Sequence, residues 1–300
     1  MELEVYYENS EKNKRIVFDE KEYGISDFDL FQHEFKYSAE DDKISKFSSG
    51  VTTRKIEANI TGNEKKSWQE LYDEMNGVFV RDILLQKPGT LHVNKCYMPC
   101  FFYATIPTEM FEDWGFQTAE LKIVTDKALW TEKQLVAVYK SDTIPDSSGI
   151  IYDYTYGSAY GDSGLSVNFY NDHFIPCNFA LEAKGPLSKL EFAINENLYE
   201  INVSCAEGES VVLDTKERTI KVIDSYGNSW NAFGKQNFDF DNFAKIPAGE
   251  NVISYNRSYD IYLTIYQERS EPRWTAGIKY MLTEDGYVLA TEKDQILVLG

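Results

Sequence analysis

Histidine and cysteine are scarce in this chain of 300 residues, three of the first and four of the second. The histidines, His33, His92 and His173, stand far apart, and no HExxH, GxSxG, GxGxxG or P-loop spacing occurs. The sequence therefore announces no zinc protease, esterase or nucleotide-binding chemistry. His92 sits inside the alternating run TLHVN, where a half-exposed strand histidine is the expected role, and His173 lies in the turn-like NDHF. The cysteines, Cys96, Cys100, Cys177 and Cys205, are too few for a disulfide framework and have no second close pair to complete a zinc site. They read as buried free thiols. A run of ~18 apolar residues is absent, which argues against a membrane-spanning helix. The opening MELEVYYENSEKNKR has no apolar stretch, so no secretory signal is expected and the sequons at Asn59, Asn202 and Asn256 carry little weight.

Positive charge is also short. Lys and Arg number 30 against 49 Asp and Glu, a net charge of −19. Nucleic-acid and anionic-membrane binding both rest on a cationic surface, so neither is expected. The same abundance of acids deprives any single carboxylate pair of meaning as a glycosidase signature. Two acidic clusters stand out. Glu40, Asp41 and Asp42 read as a solvated loop. Asp239 and Asp241 alternate with Phe238, Phe240 and Phe243 in NFDFDNF and read as an edge strand with aspartates outward, in preference to a calcium site. No cofactor and no metal is expected.

What the chain has is apolar and aromatic bulk. Hydrophobic residues make up 43%, enough for a packed core, and 21 Tyr with 18 Phe favour strands. The length suggests two domains. Period-two alternation marks strands at Lys14 to Phe18, Thr52 to Ile60, Thr90 to Val93 and Ala119 to Val124. One helix interrupts them. Trp68, Leu71, Tyr72 and Met75 share a helical face, Ser67 and Glu70 offer a capping box, and Gly77 is placed to end it. Short strands return at SVNFYND, Cys177 to Ala183, Leu190 to Ile194, Leu198 to Val203, Ser210 to Asp214, Thr219 to Ile223, Val252 to Tyr255 and Tyr259 to Gln267. That spacing reads as an antiparallel sandwich. Two more pieces, Ile278 to Leu282 and Tyr287 to Ala290, flank Asp285-Gly286 as a hairpin, and Ile296 to Leu299 is a last strand. The expected organisation is a mainly β protein: a sandwich-like domain with one helix over 1–131, a connector over 132–164, and a β-sandwich with extra strands over 165–300.

The connector holds YDYTYGSAYGDSG, in which Tyr152, Tyr154, Tyr156 and Tyr160 are spaced by small and acidic residues. No core period fits it, so these tyrosines are candidates for contact with another copy or partner. Trp230, in YGNSWNAF, is a candidate for stacking on a sugar.

Several segments follow one another in a familiar order: KKSWQELYDEMNG, LLQKPGTLHV, CYMPCFF, AELKIVTDKALW, YDYTYG, LEFAINENLYEINVSC, VVLDTKERTIKVIDSYGN, KIPAGENVISYN and PRW. From Val17 to Trp274 this order resembles the distal tail proteins of long-tailed phages and related prophages, the siphophage baseplate hub. The resemblance implies a hexameric ring built by the N-terminal domain, set between the tail tube protein and the tail-tip protein of a virion. It implies assembly in the bacterial cytoplasm and a galectin-like or carbohydrate-module-like C-terminal sandwich that projects as a docking point for receptor-binding proteins. It implies a structural role with no catalytic residues. The chain departs from the pattern in its extension after Trp274 and in Thr155, where proline is common. A competing reading is a carbohydrate-binding or adhesin-like module that binds host cell-surface glycans. An enzyme such as a glycosidase is disfavoured, because no positioned acid–base pair can be argued.

The acidic balance gives a direct expectation. The purified protein does not retard duplex DNA in a gel at about 150 mM salt; micromolar retention that falls steeply as salt rises would contradict it.

Overall fold

The computed structural model of the chain describes residues 3–19, 21–48, 50–111, 115–140, 166–274, 281–282 and 288–289. The fold is mainly β, with one α-helix among the described residues. Contacts divide the chain into two units, Met1–Glu132 with Glu268–Lys279, and Lys133–Gln267 with Tyr280–Gly300.

The first unit contains β1 (Val5–Glu8), β2 (Arg15–Phe18), β3 (Tyr23–Phe28), β4 (Lys36–Glu40), β5 (Lys43–Ser48), β6 (Thr52–Thr61), α1 (Trp68–Leu84), β7 (Gly89–Val93), β8 (Cys96–Phe111), β9 (Phe116–Thr125) and the start of β10 (Trp130–Val138). The expected period-two strands are there, with alternate residues buried. β8 serves two ladders. Its first part pairs β7, Cys96 to Cys100 against Val93 to Gly89, and its remainder pairs β9 with register shifts at Phe102/Ala104 and Pro107/Glu109. Such bulges bend a strand and re-aim it. β8 thereby links the order β2-β1-β7-β8 to β3-β6-β9-β8, all antiparallel.

The helix lies against this frame. Ser67 is its N-cap: the Ser67 Oγ accepts the Glu70 N–H at 3.3 Å and the Glu70 carboxylate accepts the Ser67 N–H at 2.8 Å. It does not stop at Gly77. It continues to Leu84, and Gln86, at φ 52°, takes the left-handed position. The reason is that Val78, Phe79 and Asp82 prolong the buried stripe begun by Leu71 and Met75. That burial outweighs the ~1 kcal/mol helix cost of one exposed glycine. Trp68 is only half-buried at the helix start.

Phe79 stacks on Phe102 at 4.2 Å with 7° between planes, and the Tyr7 ring meets both edge-on at 5.4 and 4.9 Å. Such pairs add to burial through the ring quadrupoles. Asp82 is fully buried; it accepts the Tyr7 hydroxyl at 2.7 Å and the Ser10 N–H and O–H at 3.0 and 2.6 Å. Burial pushes the Tyr7 phenol far above its ordinary range, with the Asp82 hydrogen bond adding to it. Gly89 makes room for that phenol, since a Cβ there would run into the Tyr7 hydroxyl. The later segment of this unit is held by ions and rings. Glu132 receives Arg273 Nε at 2.6 Å and Arg269 Nε at 3.4 Å, Asn94 Nδ2 donates to the Arg273 carbonyl at 2.7 Å, and Trp274 stacks on Phe31 at 3.7 Å.

In the second unit β10 continues, followed by β11 (Ser166–Asn171), β12 (Asn178–Lys184), β13 (Leu190–Ile194), β14 (Asn197–Ile201), β15 (Ser210–Asp214), β16 (Thr219–Ile223), β17 (Ser229–Asn231), β18 (Gly249–Ser254) and β19 (Ile261–Arg269). Two antiparallel sheets, ordered β17-β16-β15-β12-β19-β10 and β11-β18-β13-β14, share one core. Phe179, Leu181, Leu213 and Leu263 from the first sheet and Phe192, Tyr199 and Ile253 from the second lie in it. This is the expected sandwich. β10 is a difference from the connector expected over 132–164: its start is strand, because Trp130, Val136 and Val138 are buried at strand spacing. β20 (Met281–Leu282) pairs β21 (Val288–Leu289) antiparallel, at the place of the expected late hairpin; the piece Ile296 to Leu299 lies outside the described residues.

NFDFDNF is not a strand. Asn237 Oδ1 accepts the Asp239 N–H at 3.0 Å and Asp241 Oδ1 accepts the Phe243 N–H at 3.0 Å, so short polar side chains fold the segment into turns. Buried Asn242 fastens it to β14 by accepting the Glu200 N–H at 2.7 Å. The alternation of Phe and Asp imitates a strand, but local side-chain-to-backbone bonds replace the ladder.

Two expectations follow from this packing. Asp82→Ala leaves the Tyr7 hydroxyl and the Ser10 donors without their acceptor in a buried place and is expected to lower the unfolding free energy by about 3 kcal/mol, read by urea titration; no change would deny the network its role. All four cysteines are buried and free, and burial raises the Cys100 thiol. Thiol titration is expected to be slow in the native protein and to find four groups in guanidinium; finding two or none would contradict it.

Candidate assembly surface

The run KYSAEDDKISKFS forms a hairpin, β4 with β5, that pairs with no other described strand. Asp41 and Asp42, expected as a loop, are its two-residue turn. Their φ angles of 50° and 62° are the left-handed pair that matches strand twist in a tight hairpin, and aspartate tolerates that region better than most residues. The register sets Tyr37 opposite Phe47, Ser38 opposite Lys46, Ala39 opposite Ile44 and Glu40 opposite Lys43, with Ser45 bulged between. Alternation then gives the ribbon two unlike sides. One carries Tyr37, Phe47, Ala39 and Ile44; the other carries Lys36, Ser38, Lys46, Glu40 and Lys43.

Every residue of both strands is exposed. Tyr37 is 67% exposed, Phe47 61% and Ile44 59%, so the apolar side of the ribbon touches nothing within the described chain that would cover it. A lone two-stranded ribbon is marginal in water. The foot of this one is secured: Leu30 and Phe31 are buried just before it, and the Asp29 carboxylate accepts the Lys55 N–H at 2.7 Å. Arg54, on β6 and 4% exposed, donates from Nη1 to the Asp29 carbonyl at 3.3 Å and to the Gln32 carbonyl. The ribbon is thus rooted at its foot with one apolar side uncovered, the kind of exposed apolar surface that marks an interaction site in many proteins.

The other candidates fall elsewhere. Tyr152, Tyr154, Tyr156 and Tyr160 lie outside the described residues. Trp230 stands on edge strand β17 opposite Val222, which is fully buried and continues the row Val211 and Ala183. The register places the indole on the same face of the sheet as Val222, at the edge of that sheet and 48% exposed. His33 is exposed; His92 is half-buried and stacked on Tyr6 at 4.3 Å; His173 is buried and its Nδ1 accepts the Ile175 N–H at 3.3 Å. No three His, Cys, Asp or Glu side chains converge on a metal position among the described residues.

No protein-family model and no curated protein matches the sequence. Solved structures do match in shape. The Dit protein of phage SPP1, described as a paradigm of the hub adsorption apparatus in phages that infect Gram-positive bacteria, is 8% identical, with a TM-score of 0.55 over 90% of this chain and 100% of that one. Chains of the phage P2 baseplate in its activated conformation, with calcium and with strontium, are each 14% identical, with a TM-score of 0.55 over 91% of this chain and 100% of theirs. The chain thus has the fold seen in phage Dit hub and baseplate proteins.

Proposed function

We propose that this protein is a structural component of a phage or prophage tail tip, a ring of about six copies that joins the tail tube protein to the tail-tip and receptor-binding apparatus. The observation that carries the reading is the β4–β5 ribbon on a fold shared with hub proteins. In a closed ring one surface of each protomer meets a different surface of the next, and a rooted ribbon with an uncovered apolar side supplies one half of such a contact. The residues of the first unit give that ribbon a rigid base. The second unit, a separately cored sandwich, is suited to carry docking partners outward. The net charge of −19 suits a lumen that lets DNA pass without adsorbing it, since like charges repel. Assembly takes place in the bacterial cytoplasm and the finished ring resides in the virion.

Light scattering on the full chain tests this. A mass corresponding to about six protomers is expected. The double substitution Tyr37→Ser with Phe47→Ser is expected to shift the population to monomer while moving the unfolding free energy by less than about 0.5 kcal/mol, because neither side chain is buried in the single chain. A monomeric wild-type protein that binds oligosaccharide would instead favour the glycan-binding module.

A further inference from the structure

The sheets of the second unit end in edge strands that are unlike one another. β17 is three residues long and runs into a 3-10 turn at Phe233–Lys235. β14 carries Glu200, and its outer side is taken: Gln236 bridges Ile201, and the Asn237 N–H donates to the Glu200 carbonyl at 2.9 Å. β10 carries Glu132 and Lys133. Short length, charge and cover are the devices that keep a sheet edge from pairing further. β11 has none of them. Its six residues, SVNFYN, include no charge and no proline, and it pairs β18 without a register shift and no other described strand. The ladder shows which of its groups are free. Val252 faces β13: its carbonyl accepts the Asn195 N–H at 2.8 Å, and its own N–H goes to Asn195 Oδ1 at 2.9 Å. Asn168 stands opposite Val252, so the Asn168 N–H and C=O point away from β18, and by alternation so do those of Ser166 and Tyr170. Gln134 Nε2 donates to the Tyr170 carbonyl at 2.7 Å and closes that end. What stays open is a row of backbone donors and acceptors recurring about every 7 Å.

We propose that the free edge of β11 is a docking site for an extended, cationic segment of a different polypeptide, which adds beside it as a further strand. An extended backbone presents partners at that spacing; a sugar or a phosphate does not. The flanks decide which side chains the segment brings. On the core side stand Val167 and Phe169, at the outer end of the core, so alternate residues of the segment are apolar. On the other side stands Tyr170, 57% exposed, with Glu250 opposite it and Val252 diagonal to it, so the residues between are polar or cationic. A different chain is chosen over a second copy because two copies each bring a net charge of −19 and repel, whereas a cationic segment is drawn in. The inference stands apart from the ring, since it concerns one sheet of the second unit alone.

The probe is a fluorescein-labelled peptide, Lys-Val-Thr-Val-Lys-Val-Thr with an amidated end, added to the full-length protein. Anisotropy reads its binding, and amide hydrogen exchange reads where it lies. The peptide is expected to bind and to slow exchange at Asn168 and Tyr170 by at least about tenfold, while Val167 and Phe169, already paired with β18, change little. Asn168→Pro removes one N–H that points off the sheet and leaves the β18 ladder whole; it is expected to weaken binding by at least about tenfold. The same peptide N-methylated at every residue keeps its charge and side chains but loses its backbone donors, and is expected not to bind. Circular dichroism establishes that the variant folds, and should it not, the N-methyl arm on the wild type decides alone. Three results overturn the site: no binding at millimolar peptide, a folded Asn168→Pro or an N-methylated peptide that binds as tightly, or slow exchange at Asn168 and Tyr170 before any peptide is added, which would mean that this chain or a second copy already covers the edge. A monomeric protein that binds the peptide loses the ring and keeps the site; a ring that ignores the peptide does the reverse.

Discussion

The face of Phe79 laid on Phe102 is the contact on which the first unit depends. Phe102 stands where β8 leaves one ladder for the other, and Phe79 stands on the part of the helix beyond Gly77. Packing one on the other ties the helix to the bend in the strand. Tyr7 closes the group from β1, and its hydroxyl is directed to Asp82, one helical turn from Phe79 on the same face. The arrangement converts a flexible corner into a fixed one. With that corner fixed, β6 and β3 hold their register, and the segment between β3 and β6 leaves the unit as a ribbon at a defined place.

Much of this was legible in the residues, and the parts that were not have identifiable causes. β6, β7, β12, β13, β16 and β19 bury alternate side chains, as do β9 from Ala119 onward and β15 from Val211 onward, so the period of two survives in the sequence. The helix start was readable because Ser67 and Glu70 satisfy backbone groups through their own side chains. Its end was not. Gly77 faces solvent with nothing near it, so its helical cost stays small, and the later stripe of Val78, Phe79 and Asp82 hides a carboxylate among apolar residues. The ribbon escaped notice because the bulge at Ser45 puts Ile44 and Phe47 three residues apart and erases the period on its second strand. In NFDFDNF the error runs the other way: the period is present and the strand is not, since Asx turns take the backbone donors first.

The candidate site repeats that contrast. Aromatic residues in the sequence drew attention to Trp230, which stands exposed on edge strand β17 opposite Val222. The surface that carries the assembly reading lies in a stretch with three lysines and three acids, Lys36, Lys43 and Lys46 against Glu40, Asp41 and Asp42. Such composition reads as solvated until the register sorts it into two sides. Charge lies on one side; Tyr37, Ile44 and Phe47 lie exposed on the other.

The central claim is that the apolar side of the ribbon is covered by another copy of the same chain. A photoactivatable benzophenone amino acid in place of Phe47 reports directly on what that side touches. Irradiation of the purified protein at assembling concentration, followed by denaturing gel electrophoresis, is predicted to give a ladder of linked chains that rises from dimer to the closed ring and disappears on dilution. A product confined to single chains, with the crosslink mapped to the same molecule, would contradict the account.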